Sequence, residues 1–453
     1  MVIVLNGTIL VTRGELTGRE HGGTIVTSRR RRVRTLLCTS LTAVLAAGSP
    51  LAFAPPSAQA ATAATPADSV ITWDLNAETA IWDVARQAPQ VQSRSAAMVH
   101  GAIYDAVNAI AGSPYQPYLV APPADGREST DAAVATAAYQ VLNAIFPNQH
   151  DTLRAQYDQS LAALPNGPAT QRGIDVGTQA AAAMITARQN DGAFGPQTFA
   201  VGTEPGQWRP TPPFFANDGG WVGHLTPFLL PSASTFRTSG PPALTSAQYA
   251  EDYNEIKAVG SASSTVRTAD QTDAAIWWHD RRLGEWEIKR QLVTTQRLNA
   301  LEAARMFAMV DLAEADAVIA CFNEKEAWSR WRPVTAIQLG HTDGNPDTIA
   351  DPSWTPLLVT PPHPDYTSGH TCNTGATMSA LAYFFGRDNI SFSAYSSDSG
   401  TRRYFTSFSQ ALTEVIDARV WGGIHTRSAD LQGARIGLAT TAYMIRHYFR
   451  PLG

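Results

Sequence analysis

His363-Pro364-Asp365-Tyr366-Thr367-Ser368-Gly369-His370-Thr371 is the stretch on which the reading of this chain turns. Its approach, Thr360-Pro361-Pro362-His363-Pro364, is extended, because each Pro fixes its own φ and keeps the preceding residue out of the helical region. Ser368-Gly369-His370 then opens a helical run over 371–385, and Gly386 stands where a helix-ending glycine belongs. Unpaired N–H groups at a helix start, a hydroxyl beside them and a Gly without a side chain together form an anion cradle. His370, at the rim, is the one group there that exchanges a proton near neutral pH. The stretch reads as a place to hold a tetrahedral oxyanion and act on it. A lone Ser-Gly-His, however, is most often only a turn.

Outward from this stretch the chain is helical. Apolar residues recur at helical period over 78–88, 92–110, 129–146, 149–164 and 169–190, rich in Ala and bounded by Pro or Gly. The run 92–110 is apolar on most faces, which predicts a buried helix with His100 and Asp105 as satisfied core polar groups. Residues 192–244 are dominated by Pro, Gly, Trp and Phe with no sustained period, and predict an ordered irregular segment wrapped over the helices. Helical patterns resume from Ser246 to about Val259, then over 268–279, 283–291 and 295–331, and finally over 407–420 and 426–449. No strand of useful length and no internal repeat stands out. The expected architecture is all-α, with an N-terminal helical part over 61–265 and a C-terminal oxyanion-site part over 266–453.

The N-terminus reads as an export signal ending near residue 60. Arg29 to Arg34 supply positive charge, 35–47 an apolar stretch and Ala58-Gln59-Ala60 a cleavage site. Arg31-Arg32 also loosely matches a twin-arginine signal, although the general secretory route is favoured. Residues 1–27 read as an over-extended start. Beyond residue 60 the chain holds 27 basic and 37 acidic residues. This balance argues against a nucleic-acid partner, and no segment of that part is apolar for long enough to span a bilayer. Any anion site must therefore be a local concentration of positive charge.

Two further features supply that charge. In Lys325-Glu326-Ala327-Trp328-Ser329-Arg330-Trp331-Arg332-Pro333, seven residues of helix would set Lys325 and Arg332 on one face about 10.5 Å apart. Pro333 would end the helix and let the Arg332 guanidinium turn. In Arg419-Val420-Trp421-Gly422-Gly423-Ile424-His425, the Gly pair breaks the helix, so that Arg419 and His425 can face one point. Three cations would then offset a multiply charged oxyanion, leaving His370 and His425 for proton transfer and bonding to its central atom.

Lys-x6-Arg-Pro, then Ser-Gly-His, then Arg-x5-His, in this order, resembles the vanadium-dependent haloperoxidases and the type 2 phosphatidic acid phosphatases, which share a site because vanadate and phosphate are isosteric. The likeness extends more loosely over most of the chain beyond the signal and is similar to bacterial haloperoxidase-type proteins. It implies an all-α bundle with vanadate as cofactor and phosphate as its isostere. Lys325, Arg332, Ser368, Gly369 and Arg419 would bind the equatorial oxygens. His425 would be the vanadium ligand, or the phosphohistidine nucleophile of a phosphatase, and His370 the acid–base group. The partners implied are hydrogen peroxide, a halide and a small organic substrate.

Thr367 stands where the family usually has Pro, and Ala418 where it has Ser. His363, where the chloroperoxidase type has Phe and bromoperoxidases have His, leans the expectation to bromide or iodide. Asp280 is the expected carboxylate partner of a site cation, with Asp270, Asp273 and Asp417 as competitors. Cys321 and Cys372, the two cysteines beyond the signal, are expected to form a disulfide if Lys325 and His370 face one oxyanion. Free buried thiols are the alternative. The sequence says nothing of oligomeric state.

Overall fold

Every residue from Gln92 to Ile110 is buried, on all faces of the helix α2 defined below. Its small and aliphatic side chains let other helices pack around it closely. The computed structural model describes residues 66–280 and 285–452, together with the antiparallel backbone pair β1 (Val2–Leu5) and β2 (Thr8–Val11). The expected export signal lies outside the described residues. In the N-terminal half α1 is Asp68–Glu78, continued by a π turn, α2 is Pro89–Ile110, α3 is Thr130–Ile145, α4 is His150–Ala162 and α5 is Pro168–Arg188. Then follow α6 (Ala247–Val259), α7 (Ala269–Trp277), α8 (Glu285–Thr295), α9 (Ala300–Trp328) and α10 (Pro333–Gln338). The last three helices are α11 (Gly369–Phe385), α12 (Phe408–Trp421) and α13 (Arg427–His447).

One hydrophobic core takes side chains from α1, α2, α3, α9, α11 and α13, with the irregular segment laid over it through Phe199, Trp208, Trp221 and Phe228. Asp105 accepts from the backbone N–H groups of Tyr118, Leu119 and Val120, and His100 pairs with Asp311 and Asp74. Both are the partnered core polar groups that the sequence predicts. Between α11 and α12 the structure adds a hairpin the sequence reading lacks, β3 (Phe392–Ser396) with β4 (Thr401–Phe405). Only β4 shows any inside–outside alternation, and five residues give little period to detect.

Three packing features aim the site. The helix α13 lies close on α11 because both are small at the contact. A Cβ on Gly437 would meet the Cys372 carbonyl at 2.4 Å, and one on Gly433 would meet the Ser368 carbonyl at 2.6 Å. The Gly422-Gly423 break falls where expected, between α12 and α13, with Gly423 at φ 75°. The long helix α9 departs from expectation: it ends at Trp328, with Ser329 in the left-handed region at φ 39°. Lys325 and Arg332 therefore do not share one helix face. Pro333 keeps Arg332 extended as the N-cap of α10, and the turn, not helical arithmetic, brings the two cations together.

Candidate functional site

The cradle starts at Ser368, the N-cap of α11. A serine at this position normally folds its hydroxyl back onto the first turn, but Ser368 makes no such side-chain bond. Its Oγ is buried and faces the carboxylate of Asp430. The peptide N–H of Ser368 donates to the Ala429 carbonyl at 3.1 Å, which ties the loop to α13. The irregular segment braces the opposite side. Trp208 N–H donates to the Ser329 carbonyl at 2.7 Å and Trp331 N–H to the Gly206 carbonyl at 2.9 Å.

Around Ser368 stand three fully buried cations. Lys325 Nζ donates to the Pro364 carbonyl at 2.7 Å and the Asp365 carbonyl at 3.2 Å. Arg332 donates through Nε to the His363 carbonyl at 2.6 Å and through Nη1 to the Ile424 carbonyl at 2.7 Å. Its Nη2 lies 3.0 Å from His363 Nδ1. Arg419 donates through Nη1 to the Trp278 carbonyl at 3.2 Å, while its Nε and Nη2 are buried without a partner. Burial pushes the Lys325 amine down to about 8 and the Arg419 guanidinium down to about 9. Each charge is held by carbonyls and hemmed in by other cations.

The same three cations press on both catalytic candidates. His370 and His425 lie well below the usual imidazole range, first through burial and then through Arg332, Lys325 and Arg419. They therefore share one electrostatic environment, as the convergence of the motifs requires. His425 Nδ1 lies 2.7 Å from Asp365 Oδ1, whose other oxygen accepts from Thr426 Oγ1 at 2.8 Å. An acceptor at Nδ1 makes that nitrogen the donor, and leaves Nε2, 3.1 Å from Arg332 Nη1, with its lone pair towards the cations. His370 Nε2 is buried and unpartnered. His363, with its ring 5.1 Å from that of Phe322, sits at the edge of the group.

Two expectations need correction. Asp280 accepts from Ser396 Oγ and from the N–H and Oγ of Ser397, so its carboxylate pins the turn of the β3–β4 hairpin. Asp273 likewise serves Thr401 and Arg403, Asp270 pairs with Arg403 and Asp417 with Arg427. The carboxylates beside the site cations are instead Asp365 and Asp430. Burial pushes Asp365 up to about 6, against the pull of Arg332. Asp430, in the first turn of α13, is pushed well above the usual carboxylate range by burial, with Ser368 and Arg419 as the neighbours that pull it back. The expected disulfide is also absent: Cys321 and Cys372 are buried free thiols. Thr367 separates their roles, its hydroxyl lying 3.2 Å from Cys321 Sγ and 3.7 Å from Cys372 Sγ.

Arg419 Nε and Nη2 and His370 Nε2 are three buried polar atoms with no protein partner, and the Arg419 charge reaches both His370 and Asp430. Three buried cations stand in the same neighbourhood, a set whose charge suits a multiply charged oxyanion. A family model described as the VCPO second helical-bundle domain matches residues 305–452, which hold every one of these groups. The chain shares the helical fold of bacterial vanadium-dependent haloperoxidases. It is 28% identical over 214 residues to the vanadium chloroperoxidase of Curvularia inaequalis, which covers 39% of this chain and 34% of that protein. The chain thus spans about a third of the length of the curated relative it matches. Among solved structures it resembles the first bacterial vanadium-dependent iodoperoxidase, with a TM-score of 0.73 and 24% identity over 85% of this chain and 97% of the other. It also resembles a holo-type bacterial vanadium-dependent chloroperoxidase, at 0.66 and 18% identity over 84% and 98%. Among the described residues no helix is long and apolar enough to cross a membrane.

Proposed function

We propose that the chain is a vanadate-dependent haloperoxidase, which oxidises a halide with hydrogen peroxide. The observation that carries this reading is the set of buried cations, Lys325, Arg332 and Arg419, whose charges all bear on His425 and His370, with His425 Nε2 3.1 Å from Arg332 Nη1. Vanadate, when held there, supplies the activation of peroxide towards a halide. The three cations and Ser368 would hold its oxygens and neutralise their charge, with the Gly369 N–H at the helix start as a further donor. His425 would bind through Nε2, its ring fixed by Asp365.

Burial, and after it the surrounding cations, holds the His370 imidazole well below its usual range and so neutral. Bound negative charge offsets those cations, so His370 becomes a better base and takes a proton from peroxide at Nε2. His363 beside Arg332 and the iodoperoxidase among the fold relatives support iodide or bromide as the halide. The export signal read in the sequence supports action outside the cytoplasm. The test is equilibrium binding of vanadate with phosphate as competitor, then assays with iodide plus peroxide and with a phosphate monoester. Vanadate-dependent iodide oxidation is expected. Hydrolysis of the ester without any peroxidase activity would assign the same residues to a phosphatase, with His425 as nucleophile.

A further inference from the structure

Five carboxylates stand together in the core: Asp74 and Glu78 on α1, Glu285 on α8, and Asp311 and Glu314 on α9, none more than 5% exposed. The permanent cations paired with them are Lys289 and Arg290, and His100 of α2 is a further group there that can take a positive charge. With every carboxylate ionised and His100 protonated, two negative charges would still lack a counter-charge. Burying charge without a partner is costly, and such groups take up protons instead. Among the described residues no three His, Cys, Asp or Glu side chains are arranged to hold a metal ion. Protons are the counter-charge that the cluster can carry by itself.

Glu285 and Glu314 have the weakest hold on a cation. Lys289 Nζ lies 2.5 Å from Asp311 Oδ1, and Arg290 reaches Asp74 Oδ2 at 2.5 Å and Glu78 Oε2 at 2.6 Å. Glu285 and Glu314 accept from hydroxyls, Thr374 Oγ1 at 3.3 Å and Thr377 Oγ1 at 3.2 Å, which lie one turn apart on α11. Burial pushes Glu314 well above the usual carboxylate range, with the Glu285 and Asp311 charges adding to it, and burial raises Glu285 as well.

The cluster reaches in two directions. On one side, Glu285 Oε1 also accepts from Asn373 Nδ2 at 3.3 Å. Asn373, one turn beyond His370 on α11, lines a cavity of about 310 Å³ together with Gly369 and His370. Two atoms of that lining's side chains, Asn373 Oδ1 and Thr360 Oγ1, are buried without a protein partner, and they suit an ordered water. On the other side stands His100, with Nδ1 facing Asp311 Oδ2 and Nε2 3.3 Å from Asp74 Oδ1. An imidazole between two carboxylates can accept a proton at one nitrogen and release one at the other. Arg290, beyond Asp74, is 17% exposed and marks the outer edge of the cluster.

We infer that Glu285 and Glu314 are a protonated carboxyl pair, that Glu285 delivers a proton to the cavity during turnover, and that His100 refills the pair from the α1 side. The inference rests on the haloperoxidase reading and adds a proton store to that site. The reaction X⁻ + H₂O₂ + H⁺ → HOX + H₂O consumes one proton: the halide is oxidised, the O–O bond is reduced and broken, and the departing oxygen leaves as water. Glu285 gives up that proton through water held at Asn373, and its carboxylate regains one from solvent by way of Asp74, His100 and Asp311. Glu314 keeps the pair short of two full charges while Glu285 is ionised.

Infrared spectroscopy of the vanadate-free full-length protein at pH 8, where exposed carboxyls are ionised, tests the pair directly. A carbonyl stretch of buried carboxylic acid is expected, diminished in both Glu285→Gln and Glu314→Gln. In iodide and peroxide assays of the vanadate-loaded protein, Glu285→Gln should slow turnover at pH 8 by about 10²-fold, the low end for a positioned proton donor, with vanadate affinity retained. The deficit should shrink as pH falls, because solvent protons then enter through the cavity, whereas a merely structural loss would persist at every pH. His100→Gln should show the same pH-dependent deficit with the carbonyl band still present. Absence of the band in the parent protein, or a Glu285→Gln pH profile that parallels the parent's, overturns this inference and leaves the haloperoxidase reading intact. A band in a protein that neither binds vanadate nor oxidises halide removes the haloperoxidase reading, and the delivery step with it, while the protonated pair stands.

Discussion

Asp365 lies inside the nine-residue stretch that organises the sequence, yet nothing in the sequence marks it as a functional group. Its meaning comes from the 2.7 Å contact with His425 Nδ1, which chooses the tautomer and the ring orientation. Outer-shell partners of this kind are typically worth about 10- to 100-fold in affinity for a bound metal centre. Asp365→Asn should accordingly weaken vanadate binding by about that factor while leaving phosphate binding, which needs mainly the cations, much less affected. Competitive titration of both oxyanions checks it, and equal losses would deny Asp365 its role on His425. The two histidines should also separate. His425→Ala is expected to abolish vanadate-supported turnover, and His370→Ala to slow turnover by about 10²–10⁴-fold with oxyanion binding retained, as for loss of a general base. Steady-state rates beside binding constants distinguish these outcomes. Lys325 adds a pH signature, because burial lowers its amine to about 8 in the folded chain from an unfolded value near 10.4. The cation is needed to bind an oxyanion, so affinity should fall as pH rises through about 8. Between that point and the unfolded pKa the unfolded chain holds more protons on Lys325, so the contribution of this group to stability rises with pH. Affinity and the stability of the empty protein should thus move in opposite directions, a pattern readable by phosphate titration and chemical denaturation at pH 7, 8 and 9.

At the level of the element, close approach of α11 and α13 is what places Ser368, Gly369 and His370 opposite His425. Gly437→Ala tests it directly. In a free helix this change would stabilise by about 1 kcal/mol, but here the new Cβ would lie 2.4 Å from the Cys372 carbonyl and 2.5 Å from Ala376 N, both backbone. Backbone cannot yield as a side-chain tip can, so the clash should win, costing about 1–3 kcal/mol with a weakened oxyanion site. Thermal unfolding beside phosphate titration would show both losses together. The helices themselves were legible because each carries its own signals: Ser407 caps α12 and Gly386 ends α11 at φ 67°. The convergence of Lys325, Arg332, Arg419 and His425 was legible because the three motifs keep order and spacing. Other parts were not legible, and for a common reason. The end of α9 at Trp328 depends on Ser329 taking a left-handed conformation that most residues resist, with the irregular segment bonded to the turn. Asp430 and Asn373 look like any helix polar residues until tertiary packing buries one against Ser368 and opens the other to the cavity. Asp280 was misplaced because carboxylates near an arginine in sequence give no hint of which partner tertiary structure offers.

Across the molecule, charge is buried in two different ways. In the core, Lys289 meets Asp311 at 2.5 Å and Arg290 bridges Asp74 and Glu78, so each of these cations has a carboxylate, and His100 lies between Asp311 and Asp74. At the cradle the cations outnumber the carboxylates in contact with them, and Arg419 keeps two donor nitrogens unfilled. Taking unpaired charge out of water is costly, so an oxyanion that neutralises these cations should stabilise the fold. Ligand at a hundred times its dissociation constant should stabilise the folded chain by about 2.7 kcal/mol. Vanadate and phosphate at matched multiples of their constants should therefore raise the unfolding temperature equally, by a few degrees. Arg419→Ala gives the opposing control. It removes a buried cation that has no full complement of partners, so the empty variant should unfold no earlier than the parent. Its shift at the same oxyanion concentration should be much smaller, because the affinity has dropped. A variant that is markedly less stable when empty would mean that Arg419 holds the fold together and does not wait for an anion.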